Sequence, residues 1–288
     1  MNVKRACLFP NEKKEGCKTT ALSYAGELKR HGVEVVMPSS FRDEFGSDFA
    51  VYKEADEAFS LCDIAVVFGG DGTILSYAPL AAKHDVPLLC VNLGTLGYLT
   101  ELEPDECGMI ASVFDDDFRI DERMMLDGTV IRDGKNVFGF SALNEIVTSR
   151  GAVSKIVGFD VCCNGKTALS YRADAIILST ATGSTAYAMA SGGPLVDPSL
   201  DVICLCPVCA HTLALSRPVI LDKDSVTEIT VHPSPNADIW VNGDGKPGFR
   251  LFDGDTVIVR KSEMKLKLIR IKPRTFFDTL SKKLIKRG

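Results

Sequence analysis

Residues 69–73 read Gly69-Gly70-Asp71-Gly72-Thr73 and directly follow the apolar run Ile64–Phe68. A buried strand that delivers such a turn to a helix start brings backbone N–H groups and one carboxylate to a single point. Glycines let the backbone approach a ligand closely. Helix N-termini favour anions through unpaired N–H donors and the macrodipole, so phosphate is the natural ligand of this turn. The carboxylate of Asp71 then needs its own role. Beside a polyphosphate it is repelled unless Mg²⁺ intervenes or unless it serves an acceptor hydroxyl, and phosphoryl transfer from a nucleotide uses both. The other reading of the same residues is a plain turn with an aspartate helix cap. A second junction, Thr180-Ala181-Thr182-Gly183-Ser184-Thr185-Ala186-Tyr187, is crowded with hydroxyls. One would satisfy a helix cap, and five in eight positions suggest a polar ligand packed against backbone. No Gly-x-x-x-x-Gly-Lys-Ser/Thr occurs, and Gly94–Gly97 lacks the full dinucleotide fingerprint, which excludes P-loop NTPases and ordinary dehydrogenases.

The segments that must position these residues alternate between strand and helix patterns in the first third of the chain. Arg5–Phe9 predicts a strand. Lys18–His31 predicts a helix with Ala21, Leu22, Ala25 and Leu28 on one face, stopped by Gly32, and 33–36 predicts the next strand. A helix near Tyr52–Phe59, a strand at Ile64–Phe68, a helix at Ile74–Lys83 and a strand at Val86–Val91 follow, which is the pattern of a mainly parallel sheet. After about Arg119 short alternating runs take over, separated by Asp133-Gly134, Asn164-Gly165 and Asp253-Gly254, and these pairs signal hairpins. Strands are expected at 129–132, 137–142, 156–163, 167–171, 175–179, 202–206, 226–232 and 256–260, with one helix at Ser184–Ala190. The predicted fold is α/β, with a Rossmann-like N-terminal domain over 1–118, onto which a tail at 268–288 packs back, and a β-rich, sandwich-like domain over 119–267.

The chain has 288 residues, 45% of them hydrophobic and 25% charged, too apolar for disorder and without a run that could span a bilayer. Its first residues lack the apolar segment of a secretory signal, and ten cysteines in this length are too sparse for a disulfide scaffold, so a cytoplasmic location with free thiols is expected. The net charge of −5 argues against bulk binding to nucleic acid. It conceals a basic end: 260–288 holds eleven Lys/Arg against Glu263 and Asp278. That end reads first as a face complementing the acidic body, then as a phosphate-rich ligand field, and last as a membrane or nucleic-acid patch. Phe276 and Phe277 beside it read as packing against the α/β domain in preference to a membrane surface. Cys204, Cys206, Cys209 and His211 lack the two separated ligand pairs of a structural zinc site, and no protein metal ligands are assigned.

Three separated motifs give the chain a family resemblance. Gly69–Thr73, the pair Asn144-Glu145, and Thr180–Tyr187 resemble, in order and spacing, the motifs of the NAD kinases, which phosphorylate the 2′-hydroxyl of the adenosine ribose of NAD. The likeness extends through Tyr171-Arg172-Ala173-Asp174, Ser191–Pro194 and the stretch from Pro207 to Pro218. Gly-Gly-Asp-Gly alone is shared with diacylglycerol, sphingosine and phosphofructo-kinases, so a lipid kinase is the nearest rival and a non-catalytic nucleotide sensor the next. The Asn144 and Tyr187 motifs select NAD. The resemblance implies that NAD is held between the two domains, that ATP or inorganic polyphosphate is the donor with Mg²⁺ or another divalent cation, and that a homo-oligomer, dimer or tetramer, completes the site. Neither nucleic acid nor membrane is an expected partner. It further implies that Asp71 accepts the hydroxyl proton, that Gly69, Gly70, Asp71, Gly72 and Thr73 handle the donor phosphates, and that Asn144 and Glu145 contact the ribose. Arg172 and Asp174 are expected beside the dinucleotide, Asp174 in a neighbouring subunit's site, with Thr182, Thr185, Ala186 and Tyr187 lining it. Three departures stand out. In Cys209-Ala210-His211-Thr212-Leu213 an alanine replaces a usual proline, and the following stretch to Arg217 is one residue longer. Ala181 replaces a usual proline, and Asn242-Gly243-Asp244 stands where Asp-Gly-Gln is usual, so Asp244 is expected to accept from the ligand or from an ordered neighbour and not to touch phosphate.

Overall fold

The computed structural model describes residues 1–151, 156–211, 216–233 and 237–285. Thr212 and Leu213 of the stretch after Cys209, and the basic residues Lys286 and Arg287, lie outside the described residues. The chain divides into two compact units, Met1–Glu122 with Lys265–Gly288, and Arg123–Met264.

The first unit opens with β1 (Arg5–Pro10), α1 (Cys17–Arg30) and β2 (Glu34–Pro38). After α2 (Arg42–Phe45), the segment expected as one helix near 52–59 is split into β3 (Val51–Lys53) and α3 (Ala55–Leu61). Val51 and Tyr52 extend the sheet by pairing with Val36 and Met37 of β2, a tertiary contact that overrides helical spacing. Then come β4 (Ile64–Gly69), α4 (Asp71–Lys83), β5 (Leu88–Asn92) and the short α5 (Ala111–Phe114). The helix begins at Asp71, three residues before the first apolar position of its pattern. Strands β3-β2-β1-β4-β5 run parallel, with the order reversing between β1 and β4. Ligands of such sheets sit beyond the carboxyl ends of the strands at that reversal, and β4 ends there in Gly69. The core of this layer holds Ala21, Tyr24, Ala25 and Leu28 of α1 against Val66, Phe68, Leu89 and Val91 of the sheet. Leu22 is on the exposed side, 40% accessible, which corrects the expected helix face by one position.

The second unit contains β6 (Arg119–Arg132), which starts before the division, then β7 (Lys135–Ala142), β8 (Glu145–Arg150), β9 (Val157–Cys163), β10 (Lys166–Ala173) and β11 (Ala175–Thr180). A 3-10 turn at Thr182–Thr185 and the one-turn α6 (Tyr187–Ala190) replace the single helix expected over Ser184–Ala190. The break is at Ala186, whose φ of −105° and ψ of −126° are not helical. Next come β12 (Val202–Val208), β13 (Val219–Asp222), β14 (Thr227–His232), β15 (Ile239–Gly243), β16 (Phe249–Leu251) and β17 (Thr256–Arg270). One antiparallel layer has the order β13-β12-β11-β8-β15-β16, and the other pairs β10, β9, β14 and the first half of β17. Ile176, Leu178, Ile203 and Val241 from the first layer pack with Phe159, Val161, Ile229 and Val257 from the second. The result is a sandwich core.

Asp133-Gly134 and Asn164-Gly165 make tight hairpins with both residues at positive φ, as type I′ turns require. Asp253-Gly254 does not join a hairpin, because β16 pairs with β15 and β17 with β14. A third Asp-Gly turn, Asp244 (φ 52°) and Gly245 (φ 66°), is the one that joins β15 to β16. Both chain passages between the units lie inside the long strands β6 and β17, where alternating burial gives no break to read. The last helix is α7 (Phe276–Ile285), in the first unit.

Candidate active site

In the first unit, the site is built around the β4–α4 turn. Gly69 cannot carry a side chain, since a Cβ there would lie 2.3 Å from Thr73 Oγ1. That hydroxyl accepts a hydrogen bond of 2.8 Å from Asn11 Nδ2, and Asn11 follows β1. The turn is thus tied to the neighbouring strand end across the reversal in strand order. A pocket of about 330 Å³ opens beside it, lined by Asn11, Lys13, Phe41, Gly72, Thr73 and Ser76.

Asp71 begins α4 and points away from the helix axis toward the loop 97–99. Its Oδ2 accepts 2.9 Å from the Tyr98 backbone N–H, and its Oδ1 accepts 3.0 Å from that of Leu99. Gly97 makes this possible, because a Cβ there would sit 2.2 Å from Oδ1. The ammonium of Lys283 stands 3.7 Å from Oδ2. A carboxylate offers about four lone-pair sites. Two N–H groups fix its orientation and leave capacity to accept from a substrate hydroxyl. The loop is held from behind by Arg270, whose Nη1 donates 3.0 Å to Leu99 O and whose Nε donates 3.0 Å to Asp121 Oδ2. Glu101 accepts from Arg270 Nη1 at 3.2 Å and from the backbone N–H of Ile271 and Lys272 at 2.9 and 2.6 Å.

In the second unit, Asn144, Glu145, Thr182, Thr185, Ala186, Tyr187 and Asp244 come together. Gly183 lies so close to the backbone of Asn144 that a Cβ would meet its carbonyl oxygen at 2.2 Å. Thr180 Oγ1 donates 2.7 Å to Leu143 O and accepts 3.1 Å from Gly183 N, so the two motifs form one block. Asp244 fixes its other side. Oδ2 accepts from Leu143 N at 2.8 Å, and Oδ1 from Asn144 N at 2.7 Å and Glu145 N at 3.2 Å. Of its two expected partners, the structure shows the ordered neighbour. Within this chain Asp244 is a brace beneath the Asn-Glu pair, and its positive φ is one that aspartate tolerates better than glutamine.

The Asn144 side-chain amide has no hydrogen-bond partner among the described residues and Tyr187 is 44% exposed, so both groups are available to a ligand. Thr182 Oγ1 accepts 3.3 Å from Nη1 of the buried Arg123, a residue that no sequence pattern singled out. Glu145 is 7% exposed and its Oε2 has no partner among the described residues. Burial, with the Asp244 carboxylate adding repulsion and the Tyr187 N–H opposing them, pushes its carboxyl up to about 7. Burial also raises Asp244, against the three N–H groups that favour its charge. Of the two, the charged form of Asp244 is the better supported, by three N–H groups against the one that Tyr187 gives Glu145.

A folded-state value above the usual 4.5 means that the folded chain binds the proton more tightly than the unfolded chain. This stabilisation is fully present below about 4.5 and is lost as pH rises to about 7. At 1.36 kcal/mol per pH unit it amounts to something on the order of 3 kcal/mol. Glu145→Gln, which stays neutral, is expected to unfold at nearly the parent's urea midpoint at pH 4 and at a clearly higher one at pH 8. Midpoints that shift in parallel across that range would show that Glu145 is not the titrating group.

Arg172 and Asp174 do not join this cluster within the chain. Glu145 pairs with Ser179, whereas Asp174 precedes the other end of β11, about 17 Å away at about 3.4 Å per residue. There Asp174 accepts from Arg150 through Nε at 2.6 Å and Nη2 at 3.3 Å, and that contact holds its carboxyl below the usual range. Arg172 is exposed on β10. Cys204 and Cys206 are buried in an apolar cluster, Cys209 is exposed, and among the described residues no group of three or more His, Cys, Asp or Glu could hold a metal.

Residues 7–117 match the family model of the ATP-NAD kinase N-terminal domain, and 143–271 that of the ATP-NAD kinase C-terminal domain. The NAD kinase of Caldanaerobacter subterraneus subsp. tengcongensis is 35% identical over 286 residues, which is 99% of this chain and 100% of that one. That of Acetivibrio thermocellus is 36% identical over 283 residues, covering 98% and 97%. Among solved structures, yeast NADH kinase in complex with NADH has a TM-score of 0.87 at 23% identity, covering 97% of this chain and 86% of that one. An NAD kinase from Archaeoglobus fulgidus in complex with ATP has a TM-score of 0.73, also at 23%, covering 99% of each.

Proposed function

The chain belongs to the NAD kinase family and phosphorylates NAD to NADP with a nucleotide donor; from that premise we propose how its residues divide the reaction, with ATP as the donor. The observation that carries the assignment is the Asp71 carboxylate, oriented by two backbone N–H groups at the mouth of a phosphate-type turn. Asp71 accepts the proton of the ribose 2′-hydroxyl as the 2′-oxygen bonds to the γ-phosphorus and the bridging bond to the departing diphosphate breaks. The N–H groups at the start of α4 receive the donor phosphates. Asn144, with its unengaged amide, and Glu145 hold the ribose, while the exposed ring of Tyr187 covers the nucleoside.

The protein groups at the turn do not make a metal cage. Within Gly69–Thr73 the carboxylate is Asp71, both of whose oxygens already accept backbone N–H, and Glu12 adds a second acid in the lining of the adjacent pocket. Mg²⁺ is proposed as the donor's counterion, a role in which it keeps phosphate and water ligands, and no step is assigned to it. Self-association is supported by the exposed Val219 and Ile220 on the edge strand β13, and by the placement of Asp174 away from the Asn144 cluster. A cytoplasmic location is supported by ten cysteines that the fold keeps as thiols.

The test is NADP formation from ATP, Mg²⁺ and NAD, with diacylglycerol as a parallel acceptor, in the parent and in Asn144→Ala. The parent is expected to consume NAD alone. The variant is expected to raise the KM for NAD about tenfold, the range for a lost hydrogen bond to a substrate, with the KM for ATP nearly unchanged. Equal shifts in both constants would move Asn144 out of the acceptor site.

A further inference from the structure

The basic end of the chain is mostly neutralised by acidic groups of the first unit. Lys265 pairs with Glu122 at 2.8 Å, Lys267 with Asp85 at 2.6 Å, Arg270 with Glu101 and Asp121, and Lys272 with Glu106. Lys283 is different, because the acid it faces is Asp71. Its place is set by α7. Asp278 caps that helix by accepting from Thr275 N and Oγ1 at 2.8 and 2.7 Å. The Phe276 ring lies 6.4 Å from that of Tyr98, and seven residues on, two helical turns along the same face, Lys283 places its Nζ 3.8 Å from the centre of the Tyr98 ring. The same tyrosine donates its backbone N–H to Asp71. The lysine side chain is 19% exposed and the Asp71 side chain 30%, so the two charges interact in a partly desolvated place. At 3.7 Å the contact is an ion pair longer than a hydrogen bond.

We propose that Lys283 binds the donor's phosphates at the α4 N-terminus, its ammonium exchanging the Asp71 carboxylate for a phosphoryl oxygen. The proposal rests on reading that turn as the phosphate site. An ammonium is a compact charge on a flexible stem, and a swing from Oδ2 to an anion at the first turn of the same helix needs only side-chain rotation. The exchange has two consequences. It frees Oδ2 to accept from the ribose hydroxyl, and it sets a positive charge between the carboxylate and the polyphosphate that would otherwise repel it. The C-terminal helix is in this way part of the catalytic apparatus.

Lys283→Met keeps an unbranched stem and removes the ammonium from both Asp71 and the Tyr98 ring, Lys283→Arg keeps the charge, and Lys282→Met on the same helix is the control. ATP binding is measured by calorimetry and turnover by NADP formation. Lys283→Met is expected to weaken ATP binding about tenfold and to lower kcat by about tenfold or more, the range for a charge contact to phosphate, with the KM for NAD within about twofold of the parent. Lys283→Arg is expected to regain most of both, and Lys282→Met to behave as the parent. ATP binding within about twofold in Lys283→Met, an arginine variant as impaired as the methionine one, or an equal rise in the KM for NAD would overturn the proposal. A parent that binds ATP without phosphorylating NAD would sink the functional reading, and the binding comparison would still decide Lys283.

Discussion

Asp71→Asn is expected to fold like the parent, to bind NAD within about threefold of it, and to turn over at least about 10²-fold more slowly, the usual cost of losing a positioned general base. The amide keeps the size of the side chain and one oxygen acceptor. It loses the ability to take a proton, and it places an NH₂ where the structure has two N–H donors converging on the carboxylate. The effect should fall on kcat because the proton moves only in the transition state. Turnover within about threefold of the parent, measured under saturating NAD and ATP, would remove Asp71 from the chemistry and leave it as a helix-start residue.

Gly183→Ala is expected to be the most damaging single-methyl change in the second unit. The added Cβ would meet the Asn144 carbonyl oxygen at 2.2 Å and its carbon at 2.5 Å, and these are backbone atoms held in turn by Thr180 and Asp244. Relief requires the Asn144 segment to shift. Overpacking of this kind costs about 1–3 kcal/mol, and the displaced Asn144 and Glu145 should lose about tenfold or more in NAD affinity. Gly139→Ala, where a Cβ meets nothing within 4 Å, is the matched control. A Gly183→Ala protein with the parent's urea midpoint and NAD affinity would show that the two motifs are not packed as described.

The parts of this protein that were legible in the sequence are those whose cause is local. An apolar run followed by Gly69-Gly70-Asp71-Gly72-Thr73 dictates a buried strand, a tight turn and a helix start, and the structure has β4, the turn and α4 there. Asp133-Gly134 and Asn164-Gly165 dictate positive φ and hence hairpins. Alternating strand and helix periods dictate the α/β layer, and period-2 runs the sandwich. The readings that failed on strand pairing are those in which a distant segment decides: β3 takes its strand form from β2, and Asp253-Gly254 loses its hairpin because its flanking strands join different sheets. In the site, residue types and spacing named Asp71, and the family resemblance named Asn144, Glu145 and Asp244. Only the tertiary structure decided that Asp71 is oriented by loop 97–99 and faces Lys283, that Asp244 braces Asn144 from 100 positions away, that burial raises the Glu145 carboxyl, and that Asp174 lies at the far end of its sheet. The reason is physical. Backbone conformation follows from steric and hydrogen-bonding preferances of neighbouring residues, whereas orientation, desolvation and charge pairing are set by whichever groups the fold brings within a few ångströms, however far apart they stand in the chain.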